Sequence, residues 1–272
     1  MKKLSFSTVM LWLGLIFLYA PMFILIFYSF NASKLVTVWG GFSAKWYVEL
    51  FKDQQILDAV WTSLEIAFLS ASMAVVLGTM AAFVMTRFRR SWAKLSLSNM
   101  ITAPLVMPEV ITGLSLLLLF VHMADLIGWP AERGRLTIWL AHSTFCAAYV
   151  AVVVSSRLRE LDMSIEEAAM DLGATPLKTF FLITVPMIAP ALTAGWLLSF
   201  SLSLDDLVIA SFASGPGATT LPMVVFSSVR LGVSPKINAL ATLIILAVSL
   251  IAFLSWYFAR RAEKRAKAAM EQ

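Results

Sequence analysis

The chain has 272 residues, of which 60% are hydrophobic and 14% charged, with a mean hydropathy of +0.85. Ordinary soluble domains carry roughly 25% charged residues, and a single core does not hide this much apolar surface, so the solvent is lipid. The formal net charge of +5 comes from Lys and Arg scattered over short polar loops, which argues against a nucleic-acid-binding face and fits membrane topology.

A transmembrane helix needs about 20 mostly apolar residues. Six stretches qualify, at about 9–30, 64–87, 99–123, 136–157, 181–206 and 236–259. The expected fold class is therefore all-α, a polytopic membrane protein with six transmembrane helices in one transmembrane domain over 1–272. The first stretch follows Lys2 and Lys3 and reads as a retained anchor rather than a cleaved signal. It is too long for a signal core, and its candidate cleavage site at Ala20 is followed by Pro21. The loop after it holds Trp39, Trp46, Tyr47 and Trp61, which is either an interfacial aromatic belt or a docking surface. In the second stretch, the small pairs Ala67–Ala71 and Gly78–Ala82 permit close helix contact, within the chain or in a dimer.

The third stretch, NMITAPLVMPEVITGLSLLLLFVHM, carries Pro104, Pro108 and Glu109 in its first half. At 1.5 Å per residue, Glu109 lies about 15 Å into this less regular span, near the bilayer midplane, where the prolines free backbone carbonyls and a broken helix is tolerated if it faces a cavity. The fourth holds Cys146, the one cysteine, expected to be a small buried hydrophobe, and His142, expected to be a satisfied intramembrane histidine. Beyond it, residues 157–180 read as structured helix. Ser164 with Glu167 three positions on makes a capping box, and Ile165, Ala168, Ala169 and Leu172 share a face. Gly173 supplies a stop, and Thr175-Pro176 starts a second helix.

Near the end of the fifth stretch stand Asp205 and Asp206. Ionisable groups within spans are costly and mark pathways by default, so Glu109, Asp205 and Asp206 are the candidate substrate-pathway residues. The two aspartates have another reading, as caps where the fifth span ends and a re-entrant loop begins. The segment SGPGATTLP that follows is either a tight external turn or a contact for a delivering protein. Of the 21 Lys and Arg, 14 fall on the side of both termini, which places both termini in the cytoplasm. The basic tail from Arg260 onward then serves as a topology anchor.

No G-x-x-x-x-G-K-[ST] phosphate loop occurs, so nothing in the chain suggests ATP binding by itself. His122 and His142 have no metal-site spacing, and no G-x-S-x-G elbow is present, so no catalytic residue, metal site or bound cofactor is expected.

The spacing of EAA, three residues, Gly, nine residues and I-x-[LV]-P resembles the signature of ABC-importer permease subunits. Glu167, Ala168, Ala169, Gly173, Ile183 and Pro186 occupy it, with Val185 where the family usually has Leu. The stretches LYAPMFILIFYSFN, ITAPLVMPEVITGLSLLLLF and SLDDLVIASFASGPGATTLPM look like polyamine-importer permeases of the putrescine type. The resemblance implies a type I importer fold, a cytoplasmic coupling helix at about 165–178, and residence in the bacterial inner membrane. It also implies a homologous second permease, two ATPase subunits that use ATP and Mg, and a periplasmic substrate-binding protein. Putrescine is the implied substrate, with spermidine the variant. An ion-gradient-driven transporter or channel for a small cation is the alternative, and it leaves the capped cytoplasmic helix unexplained.

Overall fold

Backbone amides in hydrocarbon have no water to bond, so they bond within their own segment. The computed structural model describes residues 6–35, 38–88, 92–232 and 234–270, and these are helical apart from turns and one β-bridge between Asn31 and Phe42. Lys2, Lys3, Arg89 and Arg90, and the side chains of the basic tail beyond Arg260, lie outside the described residues. Two compact units form, one from residues up to 55 together with those from 225, the other from 56–224.

In the first unit, α1 (Phe6–Ser29) packs on α12 (Pro235–Met270), which also meets the short α2 (Lys45–Leu50). Most side chains of α1 stay exposed, as suits contact with lipid. A fully buried side chain, Asn31, knots the loop after α1. Its Oδ1 accepts from the amides of Ser33 and Gly40, and its Nδ2 donates to the carbonyls of Leu35 and Val38. Trp46 is also buried, and its indole N–H donates to the Asn31 carbonyl at 2.6 Å. Trp46 is thus a structural clamp rather than part of an interfacial belt, while Trp39 and Trp61 remain exposed.

The second unit is arranged around α6 (Arg135–Glu160), which packs on α4 (Trp92–Val106), α9 (Val185–Asp205) and α10 (Val208–Ala213). Ile138, Ala141, Cys146, Val150, Val154 and Leu158 on α6 are fully buried, with Cys146 acting as a small core hydrophobe. Along α3 (Gln54–Arg87), Ala67, Ala71, Gly78 and Ala82 are buried too. The small-residue stripe is used within the chain: a Cβ on Gly78 would lie 2.6 Å from Cβ of Val150.

The stretch expected as one third span is two helices, α4 and α5 (Glu109–Ile127). Pro108 has no amide to donate and its ring crowds the residue before it out of helical geometry, so α4 stops and Pro108 becomes the extended N-cap of α5. Glu109 therefore begins α5, at the break between the two helices. Among the described residues, α1, α3, α5, α6 and the continuous helical run Pro176–Asp205 are long and apolar enough to cross a membrane. α12, apolar over Pro235–Leu250, is a further long helix. The remaining element, α11 (Leu221–Leu231), precedes it.

Gly78→Val should lower stability by about 1–3 kcal/mol, the cost of overpacking a dense contact, read as a lower midpoint of thermal unfolding in detergent. An unchanged midpoint would contradict the close α3–α6 approach.

Candidate functional site

A cavity lies beside the helix break at Pro108. Because Pro108 lacks an N–H, the carbonyl of Pro104 has no helical donor four residues on, and Pro104 lines the cavity, of about 260 Å³, in the second unit. Glu109, Thr112, Phe145, Tyr149, Asp205 and Asp206 line the same cavity. The three acidic residues singled out from sequence, drawn from α5 and the end of α9, thus meet in one place.

They are not equivalent. Asp205 is the last residue of α9, and Asp206 takes an extended conformation that ends it. The Asp206 carboxylate is buried and accepts from the amides of Ala210 at 2.7 Å and Ile209 at 3.4 Å, so it anchors the start of α10. Its Oδ2 also lies 3.1 Å from Nε2 of fully buried His142, whose Nδ1 pairs with Ser203 Oγ at 2.7 Å. His142 is therefore hydrogen-bonded through Nδ1, while its Nε2 approaches Asp206 without completing a hydrogen bond. Glu109 and Asp205 are exposed to the cavity, and their carboxylates form no ion pair among the described residues.

Two open carboxylates beside the rings of Tyr149 and Phe145 suit an organic ammonium group. The charges attract it, the ring faces add cation–π attraction, and the freed carbonyl offers an acceptor. No group of three or more metal-ligating side chains occurs among the described residues.

The segment after α6 forms α7 (Met163–Asp171) and α8 (Pro176–Thr179). The cap of α7 is Asp162 rather than Ser164: its carboxylate accepts from the Ser164 amide at 3.0 Å, which holds the carboxyl below its ordinary range. Both residues are good caps, and the helix starts two residues earlier than the Ser–Glu spacing suggests. Gly173 ends α7 at φ +90°. Its amide bonds the Met170 carbonyl, and the Ala174 amide reaches back to Ala169, the paired pattern of a Schellman stop. Thr175 caps α8 through the Lys178 amide, with Pro176 in its first turn.

α8 runs into α9 through a π-turn, Phe180–Thr184, in which the Val185 amide reaches the Phe180 carbonyl. Pro186 removes a helical donor just beyond, and the wider turn absorbs that loss. The motif residues therefore separate. Glu167 and Ala168 are exposed on α7, Ala169 is half-buried, Gly173 forms the stop, Ile183 is half-buried in the π-turn, and Pro186 begins α9. Ile165, Met170, Leu172 and Leu177 are exposed as well, with Leu172 at 90%.

Glu166, which stands outside the EAA spacing, turns inward. Its Oε1 pairs with Arg87 at 3.0 Å and accepts from Thr184 Oγ1 at 2.9 Å. No sequence signal joins residues 79 positions apart.

Comparison with known proteins places this geometry among relatives. Residues 74–268 match the family model described as binding-protein-dependent transport system inner membrane component. The putrescine transport system permease protein PotI of Escherichia coli (strain K12) is 68% identical over 257 residues, covering 94% of this chain and 92% of that protein. The spermidine/putrescine transport system permease protein PotC of the same strain is 40% identical over 235 residues, 86% of each chain. Among solved structures, a bacterial ABC transporter involved in the import of the acidic polysaccharide alginate shares the fold. Its TM-score is 0.73 at 18% identity, covering 93% of this chain and 92% of that one.

The Asp162 cap carries a pH signature. Its carboxyl titrates below its unfolded value of 3.8, so its stabilisation is complete above that pH and fades as pH falls through the lower folded value. The protection of α7 amides against exchange, relative to an unstructured chain at the same pH, should fall on acidification below about pH 4, and Asp162→Asn, whose side chain still caps, should remove most of that dependence. Identical pH profiles for the two proteins would contradict the cap.

Proposed function

The chain belongs to the family of binding-protein-dependent transport system inner membrane components, and on that premise we propose that it carries putrescine, with spermidine the related substrate, across the bacterial inner membrane. Members of this family are transport subunits, and this chain is a multi-pass membrane permease of a binding-protein-dependent importer. In this reading it works beside a homologous second permease, above two ATP-binding subunits that use ATP and Mg, and beneath a periplasmic substrate-binding protein, within the lipid of the membrane. Both termini lie in the cytoplasm, on the side of α7.

The observation that carries the substrate assignment is the cavity shared by Glu109, Asp205 and Asp206. A diammonium ion is costly to dehydrate, and uncommitted carboxylates offset part of that cost where they line a wet cavity. Two exposed carboxylates retain it weakly enough to let it leave, as conduction requires. Asp206, engaged with α10 and His142, holds the wall in place.

Coupling rests on α7 and α8. A capped helix with exposed Ile165, Met170 and Leu172 gains nothing from showing them to water, and a groove on an ATP-binding subunit is the occupant that fits the family. In this account Glu167, Ala168, Ala169 and Gly173 shape the docking segment, while Ile183 and Pro186 shape the turn that delivers its movement to α9.

The test is uptake of labelled putrescine by the reconstituted importer. Glu109→Gln and Asp205→Asn should each reduce uptake efficiency by roughly tenfold or more, as expected for one lost hydrogen bond to a charged group, while assembly stays intact. Unchanged uptake kinetics in both variants would contradict the pathway assignment.

A further inference from the structure

α7 is joined to its sequence neighbours by short turns at Leu161–Asp162 and Leu172–Thr175, and a third tie reaches an element distant in sequence. Arg87, the last residue of α3, meets Glu166 of α7 at 3.0 Å, and the same Glu166 oxygen accepts from Thr184 at 2.9 Å in the π-turn before α9. The tie is shielded: the Arg87 and Glu166 side chains are 9% and 14% exposed, and Thr184 is buried. Beside it, Phe83 of α3 packs edge-to-face on Phe180 of the π-turn at 5.1 Å. One carboxylate thus bridges the ends of two spans at the point where one of them widens into a π-turn.

We infer that Arg87, Glu166 and Thr184 form the joint through which displacement of α7 is passed to α3 and α9, making Glu166 a positioning residue of the transport cycle. The inference rests on the docking role proposed for α7 and adds the route by which that helix acts. A surface ion pair is too weak and too mobile to transmit movement. This pair is shielded from water, and the cationic end of Arg87 also complements the C-terminal dipole of α3. The π-turn supplies compliance, since a helix with a wider turn rearranges there more readily than along its regular length. Glu167, next in sequence, points outward and is left for the partner. Adjacent glutamates therefore divide the work, one facing the motor and one facing the spans.

The experiment compares ATP hydrolysis with putrescine uptake in the complete reconstituted importer. The double variant Arg87→Met with Glu166→Gln removes both charges together, so no buried charge is stranded. It should co-purify with the ATP-binding subunits as the unaltered chain does and hydrolyse ATP within twofold, while uptake per ATP falls at least tenfold. Arg87→Lys, which keeps the charge, should recover most of the coupling. Uptake per ATP within twofold of normal in the double variant would overturn the inference. So would loss of docking in that variant, because the joint lies on the transmitting side of α7. Failure of the unaltered chain to bind the ATP-binding subunits would instead contradict the proposed function itself.

Discussion

An unpaired polar or charged group in hydrocarbon costs several kcal/mol, and this fold follows from where such groups are allowed. Around most of the chain the rule is met by helices whose amides bond within the segment. Acidic groups depart from it at the cavity at the start of α5 and at the tie beneath α7, and in each place one carboxylate is held by particular partners. At the cavity, Asp206 is held by α10 amides and His142, which leaves Glu109 and Asp205 open. At the tie, Glu166 is held by Arg87 and Thr184, which leaves Glu167 open. In both, one acid of a close pair is structural and its neighbour is available.

Proline connects the two places. Pro108 breaks what is otherwise one long apolar stretch and frees a carbonyl where the acidic cavity forms. Pro186 removes a donor at the head of α9 and is accommodated by the π-turn from which Thr184 donates its hydrogen bond to Glu166. Each proline weakens a helix where the account requires a cavity or compliance, while α6 between them remains a densely buried hub. A rigid centre with softened ends is what a permease needs if it is to open to alternate sides.

Local signals are legible in the sequence, and long-range ones are not. Apolar runs mark the spanning helices, and Gly173 and Thr175-Pro176 mark a stop and a start, because each depends only on nearby backbone geometry. The cap of α7 falls two residues before the position the sequence suggests, since Asp162 and Ser164 compete for the same role. The third apolar stretch, already irregular in the sequence, divides at Pro108, whose missing N–H and fixed φ outweigh the surrounding apolar propensity. Glu109 and Asp205 stand out as acids in apolar surroundings, but their convergence depends on how α5 and α10 pack, which no periodicity encodes. Glu166 is inconspicuous beside Glu167 for the same reason: its partners lie in other elements of the chain.

In the proposed function, the exposed apolar face of α7 seats an ATP-binding partner. The chain's single cysteine, Cys146, is buried, so Leu172→Cys creates one accessible thiol on that face, at a position 90% exposed in the isolated chain. A heterobifunctional reagent that joins this thiol to a nearby lysine amine should link the variant to an ATP-binding subunit in the assembled importer, with a yield that changes when ATP binds. An assembled importer in which the introduced thiol stays freely reactive toward a soluble thiol reagent and forms no such link would contradict the account.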